Sequence, residues 1–208
     1  MNIKPILFNT DMIQAILAGQ KTQTRRVIKP QPTNPRWNNI GWLGWDDGHG
    51  YRMKSPCEDG DVLWVRETWS ATDKCGLYPN WPVGRIHYMY KADDPNCDAA
   101  KEARWYPSIH MPKQAARIFL RVKEVRVECL QEITVDGCAA EGIWDDYKTY
   151  SEKYHENLKK AAYPKAFSEL WNRTIKKADL QKYGWDSNPW VWVIEFECCE
   201  KPEGWCAE

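Results

Sequence analysis

From Trp190 to Phe196 every residue except Glu195 is apolar, on both parities of a β-strand, and that run limits the architectures open to the chain. A strand that alternates hides one face and wets the other; one that is apolar on both must be covered on both. A second strand is predicted over Arg117 to Glu128. There Ile118, Leu120 and Val122 alternate with Arg117, Phe119, Arg121 and Lys123, and Val125 and Val127 continue on the opposite parity, which places a bulge or turn near Glu124. Lys4 to Phe8 reads as a short strand with Pro5 at its start or edge, and Asp61 to Glu67 as another after the turn Glu58-Asp59-Gly60. Three helices are expected beside these strands. Met12, Ile13, Ile16 and Leu17 form one stripe, with Asp11 as N-cap and Gly19 at the left-handed C′ position. Thr134 caps Val135 to Glu141, which Gly142 ends, and Pro164 opens a helix on which Phe167, Leu170, Trp171 and Thr174 share a face before Lys176-Lys177.

With 208 residues, 43% of them hydrophobic, and no low-complexity linker or internal repeat, one domain over 1–197 is expected, with a tail at 198–208. Three stretches lack periodicity and read as insertions. The first, 29–60, mixes Pro30, Pro32, Pro35, Gly41, Gly44, Gly48 and Gly50 with Trp37, Trp42 and Trp45; the second, 71–107, holds one candidate strand at Arg85–Tyr90; the third is 144–163. The N-terminus has no apolar leader region and no apolar run approaches the roughly 18 residues of a membrane span, so a soluble, cytoplasmic protein is expected. Eight cysteines without a C-x-x-C pair point to reduced thiols rather than a zinc site. No Ser-His-Asp order, phosphate-binding glycine loop, H-E-x-x-H helix or calcium loop is present, so neither metal nor cofactor is implied.

The reactive side chains concentrate just past the first helix. Gly19-Gln20-Lys21-Thr22-Gln23-Thr24-Arg25-Arg26 puts an amine, two hydroxyls and two guanidiniums at a helix exit, where a fold can aim them into a cleft. Residues 1–40 carry six basic side chains and one acid, for +5, against zero for the chain, so the rest carries −5. That excess is either a local patch for an anionic partner or a set of charges paired with the acidic remainder.

Gly19, Lys21, Thr24 and Arg26 match the G-x-K-x-x-T-x-R pattern of the ASCH family, and three further runs resemble it in order: Gly60 to Glu67, Ala139-Ala140-Glu141-Gly142-Ile143, and Pro189 to Phe196. Together the four motifs span about half of the chain. Pro107-Ser108-Ile109-His110-Met111-Pro112 adds a likeness to longer, phage-associated ASCH proteins. The resemblance implies an α+β fold, a PUA-like small β-barrel with flanking helices and long loop insertions. It also implies that Lys21, Thr24 and Glu141 correspond to the catalytic set of ASCH amidohydrolases that release the acyl group from N4-acetylcytidine.

A threonine hydroxyl is a weak nucleophile that needs a base, and the tetrahedral oxyanion needs a donor. Lys21 serves as base only when neutral, which requires lowering its pKa from about 10.4 toward about 7 to 8, worth about 4 kcal/mol. Burial and the charges of Arg25 and Arg26 favour that shift, and Glu141 opposes it. Two versions therefore stay open: neutral Lys21 deprotonates Thr24 while Glu141 orients them, or Glu141 is the base and the Lys21 ammonium stabilises the oxyanion. Arg25, Arg26, Arg66, Glu67, Ser108 and His110 are candidate substrate contacts, with Trp45 and Trp69 as stacking platforms among thirteen tryptophans. The partner is a modified nucleoside or nucleic acid, and the alternative to turnover is a non-catalytic domain binding RNA, single-stranded DNA or a modified base.

Overall fold

Covered on both faces is how the last strand, β9 (Trp190–Cys199), is found: Val191, Val193, Trp192, Ile194 and Phe196 are all buried. The computed structural model describes residues 1–32, 34–38, 41–46, 54–72, 86–93, 103–143 and 152–205, which form two compact units of interleaved segments. Strands Phe119–Cys129 and Trp190–Cys199 each pass from one unit into the other, at 121/122 and 196/197.

The first unit comprises Met1–Gly19, Gly60–Arg121 and Glu197–Glu208. Strand β1 (Ile3–Leu7) lies parallel to β5 (Val62–Arg66), with Ile3 opposite Val62 and Leu7 opposite Arg66. β5 pairs antiparallel with the start of β8 (Phe119–Cys129), Val62 opposite Arg121 and Trp64 opposite Phe119. Helix α1 (Thr10–Leu17) is capped by Asn9, whose side chain accepts the Met12 N–H at 2.9 Å, rather than by Asp11. Asn9 has the extended backbone a cap requires, and Asp11 sits inside the first turn, where its charge still suits the helix dipole. The expected irregularity of 71–107 is interrupted by a hairpin of β6 (Trp69–Thr72) and β7 (His87–Tyr90). Val62, Trp64, Ala116 and Phe119 form the core, and Trp205, from the tail, packs its ring on Trp64 at 5.6 Å and Phe119 at 5.2 Å.

The second unit comprises Gln20–Asp59 and Val122–Phe196. β2 (Gln23–Val27) pairs antiparallel with β9, Gln23 opposite Glu195 and Val27 opposite Val191, and β9 has β8 on its other side. One parity of β9, Val191 and Val193, packs with Cys138 of α2 (Val135–Ala140) and with Tyr163, Phe167 and Trp171 of α3 (Glu152–Thr174). On the other parity, Trp192 packs with Ile28, Val125 and Val127. β8 runs unbroken from Phe119 to Cys129, so of the expected bulge or turn near Glu124 no turn is found, and Val125 and Val127 on its odd parity pack with Trp192. Part of the 29–60 loop is also a ladder: β3 (Asn34–Asn38) and β4 (Gly41–Asp46) pair as a hairpin with a register shift between Pro35 and Trp37. Interspersed Pro and Gly break the alternation that would announce such strands, and edge positions tolerate the proline. Pro164 lies inside α3 rather than opening it, since the helix begins twelve residues earlier at Glu152. A short helix, α4 (Leu180–Tyr183), precedes β9.

The class is α+β. In neither unit do the described strands close into a barrel: β1 ends the ladder of the first and β2 that of the second. Among the described residues no helix is long and apolar enough to cross a membrane.

Candidate functional site

Two chain reversals bring Lys21 and Glu141 together in the second unit. Gly19, at φ +70°, ends the α1 segment, and Gly142, at φ +92°, ends α2, whose N-terminus is held by the Thr134 hydroxyl accepting the Gly137 N–H at 3.0 Å. Between these reversals Lys21 and Glu141 form an isolated antiparallel bridge, and the Thr22 N–H donates to the Ala140 carbonyl at 2.9 Å. The side chains then meet. Lys21 Nζ donates to Glu141 Oε2 at 2.6 Å and to the Glu141 backbone carbonyl at 2.8 Å, with the two side chains 0% and 4% exposed. The other carboxylate oxygen, Oε1, accepts Arg25 Nη1 at 3.1 Å.

Arg25 is itself surrounded. Its Nη1 also donates to Gln23 Oε1 at 2.8 Å and its Nη2 to Glu128 Oε2 at 2.9 Å. Gln23 Nε2 donates to Glu195 Oε1 at 2.8 Å, Arg126 Nε donates to Glu128 Oε1 at 2.7 Å, and Arg126 also pairs with Glu195. These groups border a cleft of about 260 Å³ that Thr134 and Asp136 complete.

Burial lowers the pKa of Lys21; the Glu141 carboxylate opposes this, and Arg26 and Arg25 add smaller pushes downward. The opposing influences expected of Glu141 and the two arginines all operate, and burial outweighs the carboxylate. Thr24 is buried beside Ile194 in the β2–β9 ladder. Strand alternation puts its side chain, with that of half-buried Arg26, on the face of β2 opposite Gln23 and Arg25. Glu141 still acts on Arg26 through space, raising a pKa that burial lowers. The structure therefore joins Lys21 to Glu141, adds Arg25, and sets Thr24 on the other face.

The remaining candidates, Trp45 apart, belong to the first unit. Glu67 is buried and bound by Arg117 through two bonds, Nε to Oε1 at 2.9 Å and Nη2 to Oε2 at 3.0 Å. Burial raises its pKa against the pull of Arg117. Arg117 also reaches Asp93 at 2.6 Å and lies 3.8 Å from the ring centroid of Tyr90, whose pKa burial pushes up to about 12. Arg66 donates to the Ile109 carbonyl and so anchors the 3₁₀ turn Ser108–His110, on which His110 is exposed and Ser108 half-buried. Trp69 is half-buried against Tyr106 at 5.2 Å and Tyr88 at 5.9 Å, with its Nε1 buried and unbonded. The side chain of Trp45 lies outside the described residues.

The partners that sequence reading misses are Gln23, Arg126, Glu128, Glu195 and Arg117. The only signal for them is parity: residues 23 and 25 in one strand, and 126 and 128 in another, share a face. Among the described cysteines, Cys129, Cys138, Cys198 and Cys199 are free thiols.

No family model matches the chain, and no curated protein matches it. Among solved structures, the hypothetical protein PH0355 is similar at 12% identity and a TM-score of 0.39, over 96% of this chain and 100% of that one. An ASCH domain from Lactobacillus crispatus is similar at 10% identity and a TM-score of 0.37, over 95% and 79% of the two chains. Protein EF3133 from Enterococcus faecalis, of the family model DUF984, is similar at 11% identity and a TM-score of 0.42, over 95% and 80%.

Proposed function

We propose that this chain is an ASCH-type domain acting on a modified pyrimidine nucleoside, and that it hydrolyses the amide of an N4-acylated cytidine. The observation that carries this reading is the buried Lys21–Glu141 contact at 2.6 Å, with the lysine's pKa lowered by burial. A lysine screened from water is a base in waiting, whereas a solvated one at a helix end is not. Sharing the Glu141 charge with Arg25 weakens its hold on the Lys21 proton, which favours the version in which neutral Lys21 is the base.

In that version Lys21 takes the Thr24 hydroxyl proton and the oxygen adds to the acyl carbonyl. The cytosine amine leaves with a proton, and water then releases the acyl group from the threonine. Strand alternation sets Thr24 on the other face of β2, so this version requires the Lys21 amine and the Thr24 hydroxyl to come within hydrogen-bond reach of each other when substrate binds.

Purified protein incubated with N4-acetylcytidine should yield cytidine, resolved chromatographically, and Thr24→Ala should abolish the yield. The pH–rate profile should show a limb below the ordinary lysine range that vanishes in Lys21→Ala; a limb that instead follows Glu141→Gln would assign the base to the carboxylate. The second reading, binding without turnover, is favoured by the cleft of about 260 Å³ with its mixed donors and acceptors. It predicts no cytidine release together with binding to single-stranded oligonucleotide that weakens with salt and with Arg25→Ala.

A further inference from the structure

We propose that Arg25 is a positioning residue rather than a substrate contact: it holds Glu141 so that a single carboxylate oxygen is presented to Lys21. This rests on the reading of Lys21 and Glu141 given above. A substrate contact needs a donor turned toward a ligand. Arg25 has a side chain 2% exposed, and its two terminal nitrogens are engaged by Gln23, Glu141 and Glu128. Its Nε is buried with no hydrogen-bond partner, and the Phe167 ring lies 5.8 Å from its guanidinium carbon. The solvent-reaching cation of the cleft is Arg126, 32% exposed.

What fixes Arg25 is a closed ring drawn from three strands. Gln23 and Arg25 come from β2, Arg126 and Glu128 from β8, and Glu195 from β9, and each member bonds the next. The planar guanidinium fits because its two arms diverge: one bridges Gln23 and Glu141, the other takes Glu128. Helix α2 lies against the guanidinium: a Cβ built at Gly137 would be in ordinary contact with Nη2 at 3.4 Å, while meeting Ile133 Cγ1 more tightly at 3.1 Å. A lysine in place of Arg25 offers one nitrogen, which cannot reach acceptors on both sides.

Charged and titratable groups surround the pair among the described residues. Lys21 is acted on by Glu141, Arg25 and Arg26, and Arg25 by Glu141, Glu128 and the Cys138 thiol of α2. Removing the Arg25 charge takes a cation from beside Lys21 and leaves Glu141 to act on the ammonium alone, and both changes favour the protonated amine.

Full-length protein carrying lysine labelled with ¹³C at Cε is titrated by NMR, with the Lys21 resonance assigned from Lys21→Met. In Arg25→Met the Lys21 midpoint should rise by about one pH unit. Arg25→Lys, which keeps the charge and is the more conservative fold, should give a smaller rise. On N4-acetylcytidine both variants should lose kcat at least tenfold with KM unchanged. A Lys21 midpoint that stays put or falls in whichever variant folds overturns the proposal, as does a rise in KM without loss of kcat. If the wild-type protein does not turn over N4-acetylcytidine, the amidohydrolase reading fails while the titration still decides whether Arg25 governs the pair.

Discussion

Replacing Glu141 by leucine should destabilise the protein by about 3 kcal/mol at neutral pH, at the low end of the roughly 3–5 kcal/mol seen when one partner of a buried ion pair is removed. The low end follows from what remains. Lys21 keeps the backbone carbonyl of residue 141 at 2.8 Å, and Arg25 keeps Glu128 at 2.9 Å and Gln23 at 2.8 Å. The lysine also has an escape, because it can shed its proton. Lys21→Met should be milder, about 1–2 kcal/mol, since Glu141 retains Arg25 at 3.1 Å.

The double variant should fall short of the sum by about 1–3 kcal/mol, because the second change removes a group that the first has already orphaned. The pH dependence has a definite sign. The pKa of Lys21 is lower in the folded state than its ordinary 10.5, so the unfolded chain binds more protons and stability rises with pH across the window between the two values. Glu141→Leu removes the influence that raises the folded value, so the window opens further downward. The variant should therefore regain stability as the pH rises toward 10.5, compared at pH 7 and 9, at up to about 1.4 kcal/mol per pH unit. Urea unfolding followed by far-UV circular dichroism at those two pH values measures both effects. A loss below about 1 kcal/mol at pH 7, or one that does not change by pH 9, would refute a buried charge at Lys21.

Gly184→Ala should lower stability by about 1–3 kcal/mol in a thermal melt, because its Cβ would sit 2.5 Å from the Leu180 carbonyl oxygen, which is backbone and cannot swing aside. Cys138 is fully buried with its thiol pushed up to about 11, so iodoacetamide at pH 8 should modify exposed Cys198 and leave Cys138 untouched until urea is added, as peptide mass mapping would show; early labelling of Cys138 would contradict the packing of α2. Trp205→Ala removes two aromatic contacts, at 5.6 and 5.2 Å, and a 3.2 Å bond to the Lys113 carbonyl, and should cost about 1–3 kcal/mol in urea unfolding.

Elements whose character is written locally were legible. Gly19 and Gly142 take the positive φ that their places after a helix call for, Thr134 caps α2, and β9 is buried on both parities. What failed to show locally was anything set by a partner elsewhere in the chain. Asn9 and Asp11 are both able caps, and only the backbone at Asn9, extended at φ −81°, decides between them. β3 and β4 pair through backbone groups that no side-chain period advertises. Within the site, the Lys21–Glu141 contact came from motif resemblance, since 120 positions separate the two residues. Beyond the shared parity of 23 with 25 and of 126 with 128, the ring around Arg25 was not legible: Glu128 and Glu195 join it only when β8 and β9 are placed beside β2.

That ring also decides what becomes of the basic excess in residues 1–40. Two readings of it compete, a patch for a polyanion or charges matched to the acidic remainder. Lys4 pairs with Asp61 at 2.9 Å, Lys21 with Glu141 at 2.6 Å, and Arg25 with Glu128 and Glu141, and all three acids lie beyond residue 40. Lys29 lies over the Tyr183 ring at 4.5 Å, and Arg26 feels Glu141. A cation already neutralised by a buried carboxylate sheds no counterions when a phosphate arrives, so it adds nothing to the salt-dependent part of nucleic-acid affinity. For Lys4, Lys21 and Arg25 the charge imbalance along the chain is thus internal pairing rather than an electrostatic footprint.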